Sequence, residues 1–176
     1  MKKTILLVLM TLLLTACSIQ DGNSNANIME GYKGFDKKDH HFVTKDYNEI
    51  IEDITSYKQG IYYLGFKECP WCIALVPVFE EVATTQDMTI TYLNTRDDKY
   101  KEDAQAIEKL TEFIETLPKD QQNDGKVPFI ISISKDKVVK THLGTAPNHN
   151  APTTDMTEAE VSYLTARLNE LFNNAK

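Results

Sequence analysis

Cysteine is scarce in this chain, with three in 176 residues. Cys17 stands near the N-terminus, and Cys69 and Cys72 lie three apart. There is no second C-x-x-C pair, so zinc held at Cys69 and Cys72 would need two more ligands from His142, His149 or the segment before residue 45. His40-His41 lacks companion ligands at suitable spacing and reads as a solvated pair. Long apolar runs are lacking too. The stretch from Ile5 to Leu14 falls short of the ~20 residues that a permanent membrane-spanning helix needs. Positive charge is in deficit, with 19 Lys and Arg against 26 Asp and Glu, a net −7. That balance argues against nucleic acid and against an anionic membrane surface as electrostatic partners, and weakly favours cationic ones. No internal repeat is visible.

The N-terminus has the order of an export signal. Met1-Lys2-Lys3 is a charged start, Ile5–Leu14 an apolar centre, and Leu14-Thr15-Ala16-Cys17 ends on small residues. Those four residues resemble the lipobox of bacterial lipoproteins, with Cys17 where such proteins are lipidated and cut. The alternative is an ordinary secretory signal with a coincidental cysteine. On the lipoprotein reading residues 1–16 are removed, and with them Lys2 and Lys3. That leaves 17 basic against 26 acidic residues, a charge of −9. Only Cys69 and Cys72 then remain as thiols, and no structural disulfide can form without consuming that pair. The compartment would be extracytoplasmic, where disulfides persist. Residues 17–44 are polar, Asn-rich and then charged without apolar period, and read as a flexible tether. Residues 45–176 are enough for one domain with one core.

Cys69-Pro70-Trp71-Cys72 follows the apolar run Ile61–Phe66 and precedes helix-periodic residues. The pattern is strand, turn and helix, with a dithiol at the turn. Two cysteines three apart at a helix start share a face and can open and close a disulfide with little backbone movement. The first feels the unpaired N–H groups and the positive dipole end, which favour its thiolate. The thiolate is the attacking species in thiol–disulfide exchange. Cys69, exposed at the helix start, is therefore the candidate nucleophile and Cys72, one turn deeper, the resolving thiol. A static structural bridge is the plainer alternative.

The rest of the domain reads as alternating helices and strands. Asp46 caps a helix from Tyr47 to about Ser56, with Ile50, Ile51 and Ile54 inward. A helix from Pro70 to about Thr84 contains Pro77, which removes one hydrogen bond and should kink it. Met88–Leu93 alternates as a strand, and Tyr100–Leu117 is periodic as one helix up to Pro118. Val127–Ser134 and Lys137–Leu143 form a hairpin across Lys135-Asp136. Residues 145–156 are a long loop. Thr157 and Glu160 form a capping box, with Met156 and Val161 as a staple, for the last helix. Strand–helix–strand requires a parallel pair with a right-handed crossover. The expected fold class is therefore α/β, a mixed sheet of about four strands with helices on both faces.

In its CPWC dithiol after a strand, Pro77 in the next helix, and Val127-Pro128 opening the hairpin, the chain resembles the thioredoxin superfamily over about residues 45–175. The resemblance implies a thioredoxin-like three-layer fold, a cis Val127-Pro128 bond beside the dithiol, and active-site lining by Pro70, Trp71, Val127 and Pro128. It implies no cofactor beyond the Cys69–Cys72 redox pair, and no metal. Position 63 departs from the pattern: reducing thioredoxins carry a buried Asp there, and this chain has Tyr63. Glu68 replaces a Trp; it and Lys67 read as solvated. More narrowly, the signal, the dithiol and the loop after Gly144 resemble bacteriocin transport accessory proteins, also described as bacteriocin-maturation disulfide isomerases.

Those resemblances imply an extracytoplasmic, lipid-anchored thiol–disulfide oxidoreductase. It would form or isomerise disulfides in secreted peptides or cysteine-containing envelope proteins, served by a redox partner that the sequence does not name. Two alternatives stand beside it: an envelope disulfide reductase, and a non-catalytic lipoprotein of this fold that binds a client or a transporter. His149 reads as a solvated loop histidine, Tyr62, Tyr63 and Phe66 as core, and Trp71 as an exposed cover or client contact.

Overall fold

The computed structural model describes residues 28–176. The signal segment, Cys17 and the start of the expected tether lie outside the described residues. The chain runs through β1 (Phe42–Val43), α1 (Tyr47–Thr55), β2 (Gly60–Gly65), α2 (Pro70–Gln86), β3 (Ile90–Asn94), α3 (Asp98–Glu102) and α4 (Ala104–Glu115). A 3-10 turn (Lys119–Gln121), β4 (Phe129–Ile133), β5 (Val139–Leu143) and α5 (Glu158–Asn174) complete it.

The sheet has the order β1-β3-β2-β4-β5. β2 pairs parallel with β3 and antiparallel with β4, and β5 adds antiparallel to β4. Alternation along the strands assigns side chains to two cores. Ile61 and Tyr63 of β2, Tyr92 of β3 and Ile130 of β4 pack with α2 and α5. Tyr62 and Leu64, Leu93, and Phe129 and Ile131 pack with α1 and α4. Both faces are covered, as a sheet with a parallel centre demands. This is the three-layer α/β arrangement expected, compatible with a thioredoxin-like fold, except that the sheet has five strands rather than about four.

The local signals explain most element starts. The Asp46 carboxylate accepts the Asn48 N–H at 2.9 Å and caps α1. Thr157 and Glu160 close a reciprocal capping box on α5. α2 runs through Pro77, which removes one helical hydrogen bond and is itself exposed. The single helix expected over 100–117 is instead α3 and α4. The break falls at Asp103, whose carboxylate accepts the Ala106 N–H at 3.0 Å and the Tyr47 hydroxyl at 3.0 Å. A side-chain cap there begins a new helix and ties it to α1.

Two further expectations are corrected. The described part of the expected tether, residues 28–44, is packed. Met29, Tyr32, Phe35 and Phe42 are buried in the α2–α5 core, and Phe42–Val43 pairs parallel with β3 as the extra strand. Four large apolar side chains supply enough burial to order a segment that has no periodic pattern. His40 and His41 are not a solvated pair either. The His40 ring meets Phe35 and Phe42, and the His41 N–H and Nδ1 each lie 3.0 Å from the Glu80 carboxylate. Glu80 is 1% exposed, so its carboxyl oxygens need those partners. If this arm belongs to the folded unit, Phe42→Ala costs about 3–5 kcal/mol. Urea unfolding checks it, and a loss below about 1 kcal/mol would return the arm to the status of a tether.

Candidate active site

β2 ends at Gly65, the chain turns through Phe66–Glu68, and the Cys69 N–H donates to the Phe66 carbonyl at 3.2 Å. Cys69 then becomes the N-cap of α2, with Pro70 in the first turn, where its missing N–H costs nothing. The cap acceptor is sulfur. Cys69 Sγ accepts the Cys72 N–H at 3.3 Å. Its own S–H points to the Val127 carbonyl at 3.8 Å. Cys69 and Cys72 are both free thiols, and both are buried; Cys69 is not exposed as expected, because its sulfur is tucked against the Val127 carbonyl.

The two sulfurs have opposite acidities. The Cys72 thiol donates to Cys69 and, together with the Cys72 and Trp71 backbone N–H groups, outweighs burial and lowers the Cys69 pKa to about 7. Cys72 is pushed far up, first because its proton is held by Cys69 and next by burial. Above about pH 7, then, the proton of the pair sits on Cys72 and the charge on Cys69.

The structure gathers Cys69, Pro70, Trp71, Cys72 and Val127 at one end of the sheet, with Pro128 adjoining. The Val127-Pro128 bond is cis, and the Pro128 carbonyl accepts the Gly144 N–H at 2.9 Å. Lys67 and Glu68 are exposed, as expected. Trp71 is half-buried rather than exposed, because its indole N–H donates to the His149 carbonyl at 3.4 Å. Cys17 lies outside the described residues.

His149 differs from the sequence reading. It is buried, with Nδ1 2.7 Å from the Thr145 hydroxyl and Nε2 3.0 Å from the Thr154 carbonyl. The carbonyl requires N–H at Nε2, and the Thr145 hydroxyl, which can donate or accept, satisfies Nδ1. It clasps the 145–156 loop against Trp71. His142 is buried as well; its Nε2 donates to the Thr145 carbonyl, and burial lowers its pKa. Among the described residues no three His, Cys, Asp or Glu side chains cluster as a metal set.

Two open grooves reach residues beside the dithiol, one at Val127 and the other at Trp71. One of about 530 Å³ runs from Phe66 and Val127 over Leu64, Tyr100 and Ile114. The other, about 580 Å³, lies between Trp71, His142, Thr145 and Tyr163. The Arg96 guanidinium sits 4.8 Å above the Phe66 ring at the rim of the first.

Sequence reasoning missed Tyr32 and Tyr92, which stand with Tyr63 behind Cys72. The alternation of β3 could have placed Tyr92 on the α2 side, opposite Tyr63. Nothing local pointed to Tyr32. No family model matches the chain. Among the described residues no helix is long and apolar enough to cross a membrane.

The acidities set the pH response of the reduced protein. Raising pH through about 7 converts Cys69 from thiol to thiolate, so alkylation by iodoacetamide accelerates across that point and then levels off. Cys72 stays unmodified in the folded state. Peptide mass mapping after timed quenching checks both, and preferential labelling of Cys72 would reverse the assignment.

Proposed function

We propose that this chain is a thiol–disulfide oxidoreductase acting outside the cytoplasmic membrane, forming or isomerising disulfides in secreted peptides or envelope proteins. The observation that carries it is the position of the Cys69 sulfur: cap of α2, beside the Val127 carbonyl, with Cys72 sealed behind it. A structural bridge has no use for a pair in which one sulfur is a ready thiolate and the other a protected thiol.

In isomerisation the Cys69 thiolate attacks a mispaired client disulfide. One client sulfur joins Cys69, and the other leaves as a thiolate. A client thiolate then attacks the joined client sulfur and releases Cys69. An attacking thiol is most effective when its pKa lies near ambient pH, since a lower value costs nucleophilicity and a higher one thiolate. A Cys69 pKa of about 7 meets that condition. In oxidation a client thiolate attacks Cys69 of the Cys69–Cys72 disulfide, Cys72 leaves, and a second client thiolate completes the client disulfide. The enzyme then needs re-oxidation by a partner disulfide. The Val127 backbone and the two grooves offer an extended client chain room on both sides of the sulfur.

The export signal and Cys17 support a lipid-anchored, extracytoplasmic placement, and the resemblance to bacteriocin-maturation isomerases makes small secreted peptides the first clients to test. No cofactor besides the dithiol is required by these steps.

The deciding measurement is the reduction potential of the pair, by equilibration with glutathione buffers and thiol trapping. We expect roughly −120 to −180 mV, the range of oxidants and isomerases. A value near about −270 mV would instead make it a reductase fed by an electron donor. Separately, Cys69→Ser should abolish rescue of a scrambled disulfide peptide while client binding persists. Unchanged rescue would leave a binding protein.

A further inference from the structure

Three tyrosine hydroxyls meet behind the resolving thiol. Tyr63 comes from β2, Tyr92 from β3, and Tyr32 from the N-terminal arm. The Tyr32 hydroxyl donates to Tyr92 at 3.1 Å and lies 3.3 Å from the Tyr63 hydroxyl. Tyr63, which is 0% exposed, shares the buried cluster of Cys72, and the two side chains interact. Cys69 and the Phe66 backbone also act on Cys72, and Tyr32 and Tyr92 both feel its charge.

The Tyr63 ring is held where it is. It stacks on Tyr92 with centroids 5.3 Å apart and meets Phe79 edge-on at 5.9 Å. It also lies over Gly65, where an added Cβ would come within 2.3 Å of the hydroxyl oxygen. Its hydroxyl therefore has two places to turn, toward Tyr32 or toward Cys72.

We infer that Tyr63 is a catalytic residue that donates its hydrogen bond to the Cys72 sulfur when that sulfur carries charge, with Tyr32 and Tyr92 as positioning residues behind it. The inference rests on the thiol–disulfide reading and deepens it. With Cys72 protonated, the observed Tyr32-to-Tyr92 bond leaves the Tyr32 oxygen to accept from Tyr63. When Cys72 is a thiolate, Tyr63 turns to it, and Tyr32 and Tyr92 each turn one place to follow. Only O–H rotation is needed, because each phenol both donates and accepts. Burial raises the pKa of all three phenols well above its usual value, so they stay protonated and remain donors.

The step that uses the donor balances as follows. A thiolate attacks Cys69 Sγ of the Cys69–Cys72 disulfide, and a new S–S bond forms to Cys69. The old S–S bond breaks, its electron pair stays on Cys72, and the attacking sulfur enters the disulfide as Cys72 is reduced. The Tyr63 proton remains on oxygen. In reverse, the same bond stabilises the Cys72 thiolate that expels a client from Cys69.

The test uses the full chain, oxidised with glutathione disulfide, and times the attack of excess dithiothreitol by acid quench and thiol trapping. Tyr63→Phe should slow that attack about tenfold, the scale of one hydrogen bond to an ionised group, and Tyr32→Phe should slow it by a smaller factor. Alkylation of reduced Cys69 should keep its midpoint near pH 7 in both variants, which general disruption of the site would not permit. A folded Tyr63→Phe protein attacked at the wild-type rate overturns the inference while leaving the proposed function intact. If Tyr63→Phe does not fold, wild-type rates in both Tyr32→Phe and Tyr92→Phe overturn it. A wild-type chain that forms no Cys69–Cys72 disulfide overturns both readings.

Discussion

A sulfur stands at the start of α2 where most helices place an oxygen. The bond from the Cys72 N–H to Cys69 Sγ sets nearly everything else in the site. It makes Cys69 the last extended residue before the helix, at φ −76° and ψ 118°, and lets Pro70 open the first turn. Cys72, three residues on and one turn deeper, lies fully buried on the same face of the helix. The same N–H groups that need a cap acceptor hold negative charge on that acceptor, so capping the helix and activating the thiol are one interaction. The asymmetry of the pair follows from it, one sulfur facing the Val127 carbonyl and the other sealed among aromatic rings.

Those rings come from parts of the chain far apart in sequence. Tyr63 and Tyr92 are register partners on neighbouring parallel strands, and Tyr32 reaches them from an arm that precedes the first strand. The arm is fastened at a second point by the buried Glu80 carboxylate, which holds the His41 backbone and ring. On the open side, Trp71 is steadied by a loop that His149 braces from within. A four-residue motif is thus given its back wall by the N-terminal arm and its flank by the loop before α5.

What could be read from the sequence was what is locally encoded. Asp46, the Thr157–Glu160 box, the apolar run of β2 and the C-x-x-C spacing are signals whose partners lie within a few residues, and each stands where it was expected. The break at Asp103 escaped because the period is carried by Ile107, Leu110, Ile114 and Leu117, all beyond it, while the cap that makes it is a single side chain. The arm escaped because Met29, Tyr32, Phe35 and Phe42 follow no helical or strand period; they are ordered by a surface that exists only after folding. His149 was misjudged for the same reason, since its two hydrogen-bond partners, four and five residues away, converge only once the loop has closed on Trp71.

Gly65 ties two positions into one. It sits two residues after Tyr63, on the same face of β2, and the phenol fills the volume that a side chain at 65 would claim. Neither site can be enlarged independently: bulk at 65 is open only to a chain that gives up the phenol at 63. Their substitutions should therefore be strongly non-additive, with a double change costing less than its parts suggest. The bare backbone at the end of the central strand is thus the space in which a hydroxyl can lean toward a sulfur.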